Sequence, residues 1–209
     1  MSLRWTITAP AYDKLMRGSE DAGLRDWRQG LVSDATGRVL EIGAGTGLNI
    51  PHYNGSIESL VLTEPQAPMV RRLQRAANEQ LPDAQVLRAP AEDLPFEDDS
   101  FDTVVTTLVL CGVDDQPRAV REARRVLRPG GRLLFLEHVR ADDPDFARFQ
   151  DRMNWLNRIV VGCDCNRPTL ETIEAAGFAV SQLEHMTMPK APKFVRPLIV
   201  GAATAPSVA

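Results

Sequence analysis

Three glycines at alternate positions, Gly43, Gly45 and Gly47, follow the apolar run Val39-Leu40-Glu41-Ile42. Glycine accepts positive φ and lets a ligand approach the backbone closely. A strand that turns through such a loop into a helix can wrap a small ligand with main-chain groups. Glu64 ends the next apolar run, Ser59–Glu64. A carboxylate there can accept both hydroxyl hydrogens of a ribose, and it disfavours a 2′-phosphate. Glu41, just ahead of the glycines, can accept hydrogen bonds around a bound amino group or orient the loop. The combination points to an adenosine-bearing cofactor. A nicotinamide dinucleotide fingerprint needs its third glycine one place later, where this chain has Leu48.

Other chemistry-bearing residues are few. The histidines are His52, His138 and His185, and the cysteines are Cys111, Cys163 and Cys165. Cys163-Asp164-Cys165 is not zinc-finger spacing, so no metal is expected. An odd cysteine count without a signal-peptide pattern suits a reducing, cytoplasmic setting. No apolar run reaches the roughly 18 residues of a membrane span, and no membrane anchor is expected. The formal net charge of -4 over 209 residues argues against a nucleic-acid partner. The densest basic patch, Arg118, Arg121, Arg124, Arg125 and Arg128, is spaced like the solvated face of a helix.

The elements that must position these residues alternate. Strands are expected at Arg38–Ile42, Ser59–Glu64, Ala84–Arg88, Asp102–Leu110 and Arg132–Val139. Helices are expected at Pro65–Gln80 and Asp114–Leu127, the latter ended by Arg128-Pro-Gly-Gly131. Near-continuous apolar strands alternating with helices mean a parallel sheet covered on both faces. Phe146, Phe149, Met153 and Leu156 recur at helical spacing, and Thr169–Gly177 is a short helix. Phe178–Met186 and Phe194–Ala202 read as two strands joined by a few residues around Pro189 and Pro192, a hairpin that adds an antiparallel strand. The expected fold is α/β: a Rossmann-like, mostly parallel seven-stranded sheet with helices on both faces and a C-terminal antiparallel strand. Residues 1–36 are expected to form an N-terminal helical cap on a single domain, 37–209.

Val39-Leu-Glu-Ile-Gly-Ala-Gly-Thr-Gly47 resembles motif I of the class I S-adenosylmethionine-dependent methyltransferases. Leu62-Thr-Glu64 is similar to their second-strand acid. Ala91-Glu-Asp-Leu-Pro-Phe96, Ser100-Phe-Asp102 and Arg125-Val-Leu-Arg-Pro-Gly-Gly131 resemble the adenine loop, fourth strand and pre-β5 turn of the type 11 group. Thr107-Leu-Val-Leu-Cys111, Leu136-Glu-His-Val139, Gly162-Cys163 with Arg167, and Val195-Arg-Pro197 resemble the methyltransferase-like thiol S-methyltransferases, which methylate alkyl thiols and hydrogen sulfide.

The resemblance implies S-adenosyl-L-methionine as cofactor and a small-molecule acceptor, an alkyl thiol first. Within the enzyme class the alternative acceptor is an oxygen, nitrogen or carbon of a quinone, phenol or secondary metabolite. A cofactor-binding protein without catalysis is the reading from another class. Gly43, Ala44, Gly45 and Gly47 are expected around the methionine part of the cofactor, with Glu64 at the ribose and Pro65 beside the adenine. Ala91 and Glu92 would border the adenine edge through backbone groups; Pro90 stands where the family often has an acid. Leu108 would lie near the methionine moiety. Tyr12 matches the Tyr of a Tyr-Asp pair placed over the cofactor, or is a core tyrosine.

Methyl transfer from a sulfonium needs orientation and desolvation more than acid–base machinery. A thiol acceptor must still lose its proton. His138, at the end of the fifth strand, is the candidate general base, or a histidine hydrogen-bonded at a strand end. Glu137 points to the opposite face by strand alternation. Cys111, Cys163 and Arg167 are candidates to line the acceptor site, with Phe149 and Trp155 as lid residues.

Overall fold

Val, Leu, Ile and Phe dominate the strands because the strands are buried on both faces. The computed structural model describes residues 13–14, 16–160 and 162–207. Its strands are β1 (Gly37–Ile42), β2 (Ile57–Thr63), β3 (Gln85–Leu87), β4 (Phe101–Thr107), β5 (Leu127–His138), β6 (Ala179–Thr187) and β7 (Pro197–Thr204). They form one sheet of order β3-β2-β1-β4-β5-β7-β6. β1 to β5 are parallel neighbours, while β7 runs antiparallel to both β5 and β6. The sheet is therefore the expected one.

The helices are α1 (Arg25–Val32), α2 (Ala67–Gln80), α3 (Gln116–Val126), α4 (Pro144–Val160) and α5 (Thr169–Ala175). A single π-turn, Glu20–Leu24, leads into α1, and Gly23 takes φ 127° there. Leu31 and Val32 of α1 share a buried cluster with Leu73 and Ala77 of α2 on one face of the sheet. Ala119, Val120 and Ala123 of α3 pack with Ile173 of α5 on the other. The order in which the chain adds strands to the sheet reverses between β1 and β4, which run parallel. Ligands of such sheets bind beyond the strand ends at that point.

Several boundaries differ from expectation for local reasons. β4 stops at Thr107 rather than Leu110, because Leu108 adopts φ 57° and leaves the strand. α2 begins at Ala67, since Gln66 stays extended with its N–H bonded to Glu64. β5 starts at Leu127: Arg128–Gly131 bulge within the strand, whose register against β4 jumps from Phe101–Leu127 to Thr103–Arg132. The β6–β7 connection includes a 3-10 turn, Lys193–Val195, so β7 begins at Pro197. Arg125 is not part of a solvated arginine face. It binds Glu122, Asp98 and the carbonyls of Leu94 and Phe96, clamping the loop before β4.

Candidate active site

The loop after β1 shows why its three glycines are not equivalent. Gly43, Gly45 and Gly47 have φ of 66°, 59° and 92°, which other residues rarely adopt. A Cβ on Gly43 would sit 2.6 Å from Val109 Cγ2, and one on Gly47 would sit 2.7 Å from Ile50 Cδ1. Those two glycines let the loop pack against the post-β4 segment and α2. A Cβ on Gly45 would meet nothing nearer than the Gly43 carbonyl oxygen at 4.0 Å. Gly45 thus leaves open space beside its backbone. Ala44 N–H donates to the Thr63 carbonyl at 2.8 Å, tying the loop to the end of β2.

Glu64 lies across that open side. Its carboxylate accepts from Gly45 N–H at 3.1 Å and from Gln66 N–H at 2.8 Å. Burial raises its pKa, against those two donors. Each oxygen keeps a second acceptor position, so hydroxyl hydrogens can add without displacing the backbone donors. Pro65 follows, its carbonyl held by Arg88 at 3.0 Å. Asp13 accepts from Thr46 Oγ1 of the glycine loop at 2.6 Å. Tyr12, its neighbour, lies outside the described residues. Ala91 is buried. The Glu92 carboxylate accepts from Asp114 N–H at 2.8 Å and caps the turn before α3, so its side chain is already engaged.

Beneath the loop runs a buried polar network. Glu41 accepts from Asn49 at 2.8 Å and from Tyr53 OH at 2.7 Å. Burial lifts its carboxyl to about 6, opposed by those donors and by the Arg28 charge. Asn49 accepts from Arg28, which also donates to Thr107 Oγ1 at 2.9 Å and pairs with Glu20 at 3.0 Å. Of the two roles read for Glu41, orienting the loop is the one that matches these contacts.

The turn after β4 forms the opposite wall. Leu108, with its left-handed φ, donates its N–H to the Leu136 carbonyl at 2.8 Å. Glu137, fully buried, accepts from Val109 N–H at 3.0 Å and from Leu110 N–H at 3.1 Å. Burial pushes its carboxyl up to about 7, while the backbone donors of Val109, Leu110 and Cys111 and the Thr106 hydroxyl pull it back.

Three of the residues expected at the acceptor side meet. Cys111 and Cys163 are hydrogen-bonded, and that contact together with burial pushes the Cys111 thiol up. Asp164 N–H donates to the Cys111 carbonyl at 2.7 Å. Arg167 donates to the carbonyls of Leu110 (3.1 Å) and Val113 (2.7 Å) and to Asp164 (2.8 Å). Its guanidinium therefore braces the turn containing Cys111. Burial pushes the Cys165 thiol up to about 12. Phe149 and Trp155 do not join this group: Phe149 packs on Phe146 and Phe194, and Trp155 is 63% exposed on α4. His138 is buried, and burial drives its pKa down to about 4, although hydrogen bonds to the Pro197 and Val195 carbonyls pull it up. Its Nδ1 has no hydrogen-bond partner among the described residues. A cavity of about 460 Å³ opens between Val139, Phe146, Met186, Lys193, Arg196 and Leu198. It contains none of the residues expected from sequence.

Sequence reasoning passed over several buried polar residues, some at the cofactor loop and some, on α4, away from it. Arg28 occupies the buried stripe of α1, four residues after Leu24 and three before Leu31, a charge where an apolar residue is expected. That anomaly was a readable signal. Asn49, Thr107 and Tyr53 carried none. Gln150 is fully buried in α4, donating to the carbonyls of Val139, Cys165 and Phe194 and accepting from Ala141 N–H. Asn154 and Asn157 add bonds to Asp164, Cys165 and Cys163.

Comparison with known proteins gives a consistent picture. The family model described as a methyltransferase domain matches residues 40–135. Human thiol S-methyltransferase TMT1A is 35% identical over 170 residues, covering 79% of this chain and 69% of that relative. The ubiquinone/menaquinone biosynthesis C-methyltransferase UbiE of Geotalea daltonii is 34% identical over 151 residues, 68% of this chain and 63% of that protein. Among solved structures, the YcgJ protein of Bacillus subtilis superposes with a TM-score of 0.68 at 21% identity, over 90% of this chain and 100% of that one, a likeness of fold.

Proposed function

The chain belongs to the S-adenosylmethionine-dependent methyltransferase family, and from that premise we propose that its acceptor is a small alkyl thiol. It is an enzyme that moves a methyl group to a small molecule. The observation that carries the thiol reading is the 35% identity to a thiol S-methyltransferase across 79% of this chain.

The residues of the crevice suit the cofactor: an open cradle at Gly45, a half-engaged carboxylate at Glu64, and a shaped wall at Leu108. When bound, S-adenosylmethionine supplies both the activated methyl group and its own leaving group. Gly43, Ala44, Gly45 and Gly47 would surround its methionine part, Glu64 would accept from the ribose, and Pro65, Ala91 and Glu92 would border the adenine. Cys111 and Cys163 would wall the acceptor site, with Arg167 bracing it; Phe149 is taken up by Phe146 and Phe194, which leaves the exposed Trp155 of α4 as the lid candidate. His138 is neutral in this setting, and an incoming thiol would supply the hydrogen its Nδ1 lacks. Three free thiols fit work in the cytoplasm. Among the described residues no helix is long and apolar enough to cross a membrane.

The test is turnover of cofactor with purified alkyl thiols, set against quinols, phenols and amines. S-methyl thioether formation is the expected result. Turnover confined to a quinol or phenol would favour the other acceptor class, which the similarity to a quinone C-methyltransferase keeps in view. His138→Ala should lower thiol turnover, and its deficit should deepen as pH falls from about 8.5 to 6.5, where fewer thiols ionise unaided. A pH–rate profile parallel to that of the unaltered enzyme would remove His138 from proton transfer.

A further inference from the structure

Leucine is a poor residue for a left-handed turn, because its Cβ crowds the following carbonyl oxygen there. Leu108 nevertheless adopts φ 57° at the end of β4. Strain of this kind persists only where the surroundings over-determine it. Here they do so from one side chain of the neighbouring strand. The Glu137 carboxylate takes Val109 N–H on both oxygens, at 3.0 and 3.2 Å, and Leu110 N–H at 3.1 Å. Gly112 N–H then closes the turn on the Val109 carbonyl at 2.7 Å. The Val109 side chain is the group that a Cβ on Gly43 would strike. The chain of contact therefore runs from a buried carboxylate, through Val109, to the first glycine of the cofactor loop.

We propose that Glu137 is a positioning residue for methyl transfer: by gripping the N–H groups of Val109 and Leu110 it holds the post-β4 turn as one wall of the cofactor crevice. The proposal rests on reading that crevice as the S-adenosylmethionine site. An ionised carboxylate suits this task because it offers only acceptors, and its bonds to N–H groups are charge-assisted. Glutamine would remove the charge and put an NH₂ group in place of the oxygen that Val109 N–H meets at 3.2 Å. No cation pairs with Glu137 among the described residues. The titratable and charged groups about that turn are the Cys111 thiol within it and Arg167, whose guanidinium is taken by Leu110, Val113 and Asp164. Thr106 faces it from β4, Gln116 of α3 donates to the Leu110 carbonyl, and β7 presents Ile199 opposite it in register. With its carboxyl lifted to about 7, the grip is complete above neutrality and weakens as the carboxyl takes up a proton.

The experiment is calorimetric titration of S-adenosylhomocysteine into the full chain, its E137Q and E137D variants and Q150L, from pH 6 to 8.5, with melting curves and thiol kinetics. Gln150 anchors α4 away from the crevice and serves as the stability control. The unaltered protein should lose affinity as pH falls through about 7. E137Q should bind at least tenfold more weakly at pH 8, lose that slope, and raise the cofactor KM. Q150L should melt earlier yet bind within twofold. Glu41 and Glu64 are present in every variant, so only the slope that E137Q abolishes belongs to Glu137. Should E137Q fail to fold, E137D decides, its shortened carboxylate giving weaker binding with the pH slope retained. Unchanged affinity and slope in the Glu137 variants, or an equal loss in Q150L, overturns the proposal. Failure of the unaltered protein to bind would instead overturn the crevice reading itself, and the proposal with it.

Discussion

The two ends of the proposed site are held by different chemistry. Around the cofactor crevice the anchors are charged and buried: Glu41, Glu64, Glu137 and the Arg28–Glu20 pair. Around α4 and the 163–167 loop the buried anchors are neutral amides, Gln150 and Asn157, bonded to main-chain groups, and the Arg167–Asp164 ion pair beside them is only partly buried. A buried charge tolerates little displacement, because losing its partners exposes a large desolvation cost. An amide that loses a bond leaves a smaller one. The glycine-loop side is thus the costlier of the two to displace, and the α4 side, read above as the acceptor end, the less costly. That contrast suits an enzyme whose donor is constant and whose acceptor must enter and leave.

The sharpest way to break the contrast is at Arg28. Arg28→Met strands Glu20, whose side chain is only 7% exposed, and removes donors from Asn49 and Thr107. A loss of about 3–5 kcal/mol in denaturant unfolding is expected, as for one partner of a buried ion pair. Replacing Glu20 by Leu in the same chain should restore part of it, since no uncompensated charge then remains. If Arg28→Met instead costs no more than a surface substitution, the crevice is not charge-anchored and the contrast fails.

A smaller effect, read in binding, is expected at Glu64. Glu64→Ala removes the acceptor for Gly45 and Gln66 N–H and the one read for the ribose. S-adenosylhomocysteine affinity should fall by roughly 1.5–3 kcal/mol, about ten- to a hundredfold. Calorimetry showing unchanged affinity would separate Glu64 from the ribose and leave it a loop brace alone.

How much of this was legible beforehand follows the same division. The sheet, its C-terminal antiparallel strand and the glycine turn were readable, because apolar runs and glycine spacing are local signals. Position 64 was readable because the acid closes a strand. The end of β4 was not, since Leu108 leaves the strand through contacts made by β5, 28 residues away in sequence and adjacent only in the fold. Strand alternation placed Glu137 and His138 on opposite faces but did not reveal that Glu137 reaches the neighbouring turn. The α4 anchors were invisible for a different reason. Gln150 and Asn157 look like surface residues in sequence, and only the convergence of Val139, Cys165 and Phe194 carbonyls gives an amide a reason to be buried.

The smallest expected effect is at Trp155, and its smallness is what makes it informative. Trp155 is 63% exposed, and Ile159 one turn later is 64% exposed, so neither contributes much to packing. Trp155→Ala should change unfolding free energy by no more than about 0.5 kcal/mol, the usual range for a surface site. Cofactor affinity should also hold, because the charged anchors of the crevice lie elsewhere. Any rise in the acceptor KM would then report contact between Trp155 and the acceptor, uncontaminated by folding or cofactor binding. An unchanged acceptor KM would take Trp155 out of the lid and leave Cys111, Cys163 and Arg167 to shape that side of the site. A large stability loss would show α4 to be held as firmly as the crevice, and the distinction between the two regions would go with it.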